Sequence, residues 1–225
     1  MFSIAIDGPA GAGKSTIAKT IAKKLGFVYV DTGAMYRAMG LYFLRKGVDG
    51  QDGETIAAMC PEISVTIEYV DGEQQVLLNG ENVSGLIRTE EVGQMASVSS
   101  AQPAVRAALL QLQRDMAKSA NILMDGRDIG TKVLPDAQLK IFLTASADVR
   151  AKRRYDELTA KGVSCDYEVI KQDIIKRDHQ DMTRATAPLR QAEDAVLVDS
   201  SYMTINQVVE AIIAEYHKVL ESSAF

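Results

Sequence analysis

One stretch constrains this chain more than any other: Gly8-Pro9-Ala10-Gly11-Ala12-Gly13-Lys14-Ser15, which fits GxxxxGK[ST] in full. Its flanks fit as well. Residues 2–6 read as a short apolar strand, and residues from about 14 to 25 carry Ile17, Ile21 and Leu25 at helical spacing. Glycines let backbone N–H groups curl around a phosphate without interference from Cβ atoms. The start of the following helix adds positive potential. Lys14 then reaches the β- and γ-phosphates of a nucleoside triphosphate, and the Ser15 hydroxyl can ligate Mg²⁺. The bland alternative is a glycine-rich turn that binds nothing, and the strand before and helix after weigh against it.

The rest of the chain alternates strands and helices. Short continuous apolar runs at 27–30, 122–124, 139–143 and 195–198 bring the strands to five, and helices read at 34–46, 147–161, 167–186 and 205–220. Such strands between helices imply a parallel sheet covered on both faces. One segment breaks the rhythm. Ile63, Val65, Ile67 and Tyr69 alternate with polar residues, and Asp71-Gly72 and Asn79-Gly80 are hairpin turns. A small antiparallel β insertion is expected at 61–85, with helices following at 89–100 and 103–118, where Pro103 suits a first turn. The expected architecture is α/β: a core from 1–60 and 86–225 with five parallel strands and helices on both faces, interrupted by that insertion.

Lys plus Arg is 25 and Asp plus Glu is 30, a formal charge of −5. Nothing global draws this chain to nucleic acid or to an anionic membrane, so a polyanionic ligand must be held by a local basic cluster. No apolar run is long enough to span a membrane, and the N-terminus lacks the basic region of a signal peptide. Cys60 and Cys165 are too few for a four-cysteine zinc site and stand in no CxxC, so they read as reduced thiols. The expectation is a cytoplasmic protein, a monomer without nucleic-acid or membrane partners.

Asp125 ends the strand at 122–124, which in such a fold puts a carboxylate beside the metal and its waters; a solvated strand-end acid is the alternative. A switch GTPase is disfavoured. None of the four asparagines precedes a lysine, as an Asn-Lys-x-Asp guanine reader requires, and no DxxG occurs. A kinase of a small acceptor remains. Arg37 follows the second strand and Arg127 the third, where ligands of parallel sheets bind. Arg150, Arg153 and Arg154 share one helical face, as do Arg177, Asp181 and Arg184. Any one arginine alone reads as a solvated charge, and Arg177–Asp181 as a helix salt bridge of little worth. Their convergence on strand ends near the phosphate loop suggests instead bidentate binding of phosphate and neutralisation of transition-state charge.

The runs Asp7 to Thr16, Asp31-Thr32-Gly33-Ala34-Met35-Tyr36-Arg37, Ile87-Arg88-Thr89-Glu90-Glu91-Val92, Asp125-Gly126-Arg127-Asp128-Ile129-Gly130-Thr131 and Arg184-Ala185-Thr186-Ala187-Pro188-Leu189 together resemble the bacterial cytidylate kinase family. The likeness spans almost the whole chain, and the insertion stands where that family places its small β domain. It implies a five-stranded P-loop kinase core with an NMP-binding part and a short lid, here at about 158–167. It also implies transfer of the ATP γ-phosphate to CMP or dCMP with Mg²⁺. By resemblance, Gly8 through Thr16 hold ATP, Ser15 and Asp125 the metal, and Thr32, Arg37 and Arg127 the acceptor phosphate. Ser97, Arg106 and Asp128 surround cytosine with Arg184 close by, and Arg177 and Asp181 meet the sugar. Lys14, Arg127 and Arg153 are the catalytic candidates, with Arg150 and Arg154 joining Arg153 on the ATP phosphates. Cytosine presents an amino donor beside the acceptors N3 and O2, so a carboxylate and cationic donors suit it together.

The acceptor phosphate is anionic at neutral pH, so alignment and charge neutralisation suffice without a strong general base. His179 and His217 read as surface residues. Two rival readings stay open on the residues alone: a P-loop kinase for AMP, UMP or a non-nucleotide acid, and a non-catalytic ATP sensor.

Overall fold

A computed structural model describes residues 1–222. The elements run β1 (Ser3–Asp7), α1 (Lys14–Leu25), β2 (Val28–Asp31), α2 (Thr32–Arg45), α3 (Gly53–Met59), β3 (Val65–Val70), β4 (Glu73–Leu78) and β5 (Glu81–Asn82). They continue with α4 (Glu90–Ser99), α5 (Pro103–Ser119), β6 (Ile122–Gly126), a π-helical turn Ile129–Val133, β7 (Leu139–Thr144), α6 (Ala147–Ala160), α7 (Tyr167–Thr183), β8 (Val196–Asp199) and α8 (Ile205–Ser222). The chain divides into two compact units, one made of residues 30–120 with residue 1, the other of residues 2–29 and 121 onward.

The five-stranded sheet has the order β2-β6-β1-β7-β8. β1 pairs in parallel with β6 and β7, placing Ile4 opposite Leu123 and Leu139, and Asp7 opposite Gly126 and Phe142. Strands covered on both faces need apolar side chains throughout, and Ile4, Ile6, Leu123, Ile141 and Leu143 are buried in one core with Ile17 and Ile21 of α1 and Val208, Val209 and Ile212 of α8. Each such side chain contributes roughly 1.5–3 kcal/mol. Phe2, Phe27 and Tyr216 close the bottom of this core edge to face, Tyr216 lying 5.0 Å from Phe2 and 5.8 Å from Phe27. α1 has the bounds its pattern predicts, since Gly26 at φ 68 turns the chain and donates its N–H to Ala22.

The first unit packs α2, α3, α4 and α5 with the small sheet β3-β4-β5. The expected hairpin is there: Val65 stands opposite Leu78, and Asp71 and Gly72 both have positive φ, 53° and 78°, as a two-residue type I′ connection requires. β5 and α3 were not legible, because a two-residue strand shows no periodicity and a seven-residue helix shows little more. What starts α3 is Asp52, whose carboxylate accepts the Thr55 N–H at 3.0 Å. α2 starts at Thr32, two residues before its apolar pattern, because Asp31 caps it through the Ala34 N–H at 2.9 Å. Both polar groups of the Asp31 peptide are met by one side chain of the small sheet: Gln74 Oε1 accepts its N–H at 2.8 Å and Gln74 Nε2 donates to its carbonyl at 3.2 Å.

One expected boundary is corrected. α7 ends at Thr183 rather than about 186, because Arg184 takes extended backbone angles and Ala187 has φ 48° before Pro188. Arg184 therefore lies just past the helix, and the Arg177–Asp181–Arg184 stripe ends at Asp181.

Candidate active site

The phosphate loop is shaped by close packing. Gly8 lies so near β7 that a Cβ on it would fall 1.9 Å from the Leu143 carbonyl oxygen. Gly13 caps α1 at φ 87, and the helix's first turn has no acidic residue to compete for an anion. Lys14 is buried, and its ammonium donates to the Pro9 carbonyl at 2.7 Å. Burial, reinforced by the Arg127 charge, pushes its pKa down to about 7. Ser15 Oγ donates to Asp125 Oδ2 at 2.8 Å, and the Tyr29 hydroxyl donates to Asp125 Oδ1 at 3.0 Å. A hydroxyl and a carboxylate at the edge of a phosphate cradle are the hard oxygen donors Mg²⁺ takes when phosphates supply further ligands, so the residues present fit that ion. Tyr29 was not foreseen, since a tyrosine in an apolar strand reads as core.

In the same unit, Arg127 Nε donates to Asp181 Oδ2 at 2.9 Å, and Arg184 Nη1 lies 3.7 Å from Asp181 Oδ1. Burial pushes the Asp181 carboxyl up, but Arg127, Arg184 and Arg177 outweigh it and hold it below the usual carboxylate range. This excludes the surface reading of Asp181. It is 4% exposed, and it accepts a hydrogen bond from Arg127, 54 positions away. Asp128, also buried, precedes the π-helical turn. Asp7 accepts the backbone N–H groups of Ile129 and Gly130 at 2.8 and 2.7 Å. In sequence its signal is an acid at the end of a mostly apolar, largely buried strand.

The three arginines of α6 have different partners within the chain. Arg150 is buried: it donates to Ala145 and Ala10 carbonyls at 2.8 and 2.9 Å and forms a two-pronged pair with Asp178. It braces the phosphate loop from behind. Arg153 donates to the Ser200 carbonyl at 2.7 Å, and Arg154 pairs with Glu157 in solvent. His179 and His217 are exposed, and Cys60 and Cys165 are free thiols.

The first unit carries Thr32, Arg37, Ser97 and Arg106. Thr32 is buried at the start of α2. Arg37 Nη1 donates to the carbonyls of Ile87 and Thr89 at 3.0 and 3.1 Å, and a Cβ on Gly93 would lie 2.9 Å from its other terminal nitrogen. Arg88, between those two carbonyls, binds Asp31 Oδ2 at 2.8 Å. Arg106 donates to the Ser100 carbonyl at 3.2 Å, with its guanidinium 5.2 Å from the centre of the Tyr36 ring, a cation–π contact. Ser97 is half-buried on α4. Tyr36 was missed as a partner of Arg106 because the pair is 70 positions apart.

A strand, a glycine cradle and a helix on a five-stranded parallel sheet define a P-loop kinase fold. Two solved structures share it: a gluconokinase from Sinorhizobium meliloti 1021, with TM-score 0.52 and 13% identity, covering 100% of this chain and 96% of the other, and an uncharacterized protein from Eubacterium ventriosum ATCC 27560, with TM-score 0.53 and 12% identity over 96% and 98%. Sequence likeness is far closer. The profile of the family described as cytidylate kinase matches residues 4–218. The cytidylate kinase of Caldicellulosiruptor saccharolyticus is 50% identical over 97% of both chains, and that of Bacteroides fragilis 46% identical over 98% of this chain and 99% of its own. The chain belongs to the cytidylate kinase family.

Proposed function

We propose that this chain transfers the γ-phosphate of ATP to CMP or dCMP, giving ADP and CDP or dCDP. The observation that carries the reading is the family match over residues 4–218, and the cradle of Gly8, Lys14, Ser15 and Asp125 is the chemistry it requires. In this reading Gly8 through Thr16 hold the ATP phosphates. Ser15 and Asp125 hold Mg²⁺, which when bound neutralises charge on the phosphates. Thr32, Arg37 and Arg127 hold the acceptor phosphate. Ser97, Arg106 and Asp128 read cytosine with Arg184 beside them, and Arg177 and Asp181 meet the sugar. The acceptor phosphate oxygen is already anionic, so the protein's work is to align it and to spread the transferring charge over Lys14, Arg127 and Arg153. The segment 61–85 belongs to the NMP-binding part. The segment at about 158–167 closes as a lid that keeps water from the reacting phosphate. The working form is a cytoplasmic monomer; no helix among the described residues is long and apolar enough to cross a membrane.

The test is a coupled assay with ATP and Mg²⁺ over CMP, dCMP, UMP, AMP and non-nucleotide acids. CMP and dCMP should exceed the others in kcat/KM by at least roughly tenfold, since a site built to pair with a base's polar edge strands those groups with the wrong base. Equal or better turnover of UMP or AMP overturns the base assignment. ATP binding without turnover of any acceptor overturns the kinase reading.

Lys14 supplies a second expected result. With its pKa at about 7 in the unliganded protein, it is largely neutral at pH 8, while the ATP phosphates favour the ammonium. ATP binding at pH 8 should therefore take up close to one proton from solution. Calorimetry in buffers of different ionisation enthalpy measures this; zero uptake, or release, contradicts it.

A further inference from the structure

Asp7 has no part in the chemistry above, yet both of its carboxylate oxygens are engaged. It ends β1 one residue before the phosphate loop begins, is 4% exposed, and spends one oxygen on each of two neighbouring N–H groups, those of Ile129 and Gly130. The same turn is fixed at its other end by the sheet, where Asp7 stands opposite Gly126. The chain from Gly126 to Gly130 is thus tied at both ends to a single residue, and the two residues left at its apex are Arg127 and Asp128. There is little slack. A Cβ on Gly130 would lie 3.1 Å from the Lys140 stem and 3.4 Å from Asp7 Oδ2.

A carboxylate is poorly suited to such a place for stability alone. Burial pushes its pKa up to about 6 even though both N–H bonds pull it down, with Asp128 adding to the rise and Lys14 opposing it. What it offers is two acceptors with no donor, the one side chain of this size that can receive two adjacent N–H groups at once.

We infer that Asp7 is a positioning residue for the phosphoryl acceptor: its carboxylate fixes the turn that presents Arg127 and Asp128. This rests on the acceptor roles given to Arg127 and Asp128 above. The consequence is an unusual division of effects, because a residue adjoining the ATP loop should govern the other substrate. An asparagine at position 7 accepts one N–H and turns its own NH₂ against the other, so the turn loosens at one anchor while the phosphate loop keeps its length and glycines.

The experiment measures two quantities in Asp7→Asn: kcat/KM for the acceptor, and Kd for ATP in the absence of acceptor. The acceptor is whichever nucleotide the unmodified protein uses best. A protein that ignores CMP therefore defeats the proposed function without deciding this inference. Acceptor kcat/KM should fall about tenfold or more while the ATP Kd stays within about threefold, since one charged hydrogen bond is lost on the acceptor side alone. Equal losses for ATP and acceptor, or a lowered melting temperature with both constants unchanged, overturn the inference. If Asp7→Asn does not fold, Gly130→Ala presses on the same tie without removing the charge. It should show the same one-sided loss in smaller degree, and unchanged acceptor kcat/KM in the folded variant overturns the inference equally.

Discussion

Lys14→Met is expected to lose at least about 10²–10³-fold in kcat, the cost of removing one donor aimed at developing phosphoryl charge, and to remain folded. The second half of that expectation follows from burial. The folded pKa of Lys14 lies near 7, well below the unfolded value of 10.5. Between those values the unfolded chain binds more protons, so the lysine's contribution to stability improves as pH rises and is at its worst near and below pH 7. A methionine keeps the aliphatic stem and drops the buried charge. Its melting temperature at pH 7 should therefore equal or exceed the parent's, with activity gone. A folded variant with unchanged kcat would mean that the loop does not handle the transferred phosphate; a variant that unfolds would mean that the bond to Pro9 carries more stability than burial of the ammonium removes.

The second large effect concerns Asp181. Asp181→Ala should lower kcat/KM for CMP by roughly a hundredfold, near the upper end of what a charged hydrogen bond is worth. The variant loses more than a contact to the sugar. Arg127, held by Asp181 at 2.9 Å, is left without its carboxylate, and an arginine expected on the acceptor phosphate is free to swing away. Removing one partner of a buried pair is also destabilising, by about 3–5 kcal/mol where the site is fully buried; Arg127 is partly exposed, so a smaller loss is expected. Comparing CMP with dCMP separates the two roles. If Asp181 binds the 2′-hydroxyl, dCMP suffers less and the substrates converge; if it binds the 3′-hydroxyl, or acts through Arg127, both fall together. Retention of full activity on both substrates would remove Asp181 from the site.

Much of this was legible because it is local. Four apolar residues in a row, helical spacing, Asp-Gly at a hairpin and a glycine cradle before a lysine are features of neighbours in sequence, and α1, α5 and the parallel strands appear within a few residues of where those patterns put them. Asp181 shows where local reading stops. The sequence offers it Arg177 one turn away, and that pairing would be a weak surface bridge. The fold supplies Arg127 from a different strand end, and the chemistry changes accordingly. Arg150 shows the converse: it shares a helical stripe with Arg153 and Arg154, but only it points inward, where Asp178 of α7 is waiting. Asp7 depended on partners more than 120 positions distant. Sheet register decides such pairs, and register is a property of the whole core.

The grip of Gln74 on Asp31 bears on how the chain behaves at high concentration. β2 is a border strand of the five-stranded sheet, and an uncovered border offers rungs on which another polypeptide can template itself. At Asp31 the carboxamide imitates a rung: it gives a donor to the carbonyl and an acceptor to the N–H, as a sixth strand would. That end of the border is already spoken for, by a side chain too short to be extended by a newcomer. A strand arriving at Asp31 would find both its polar backbone groups already paired.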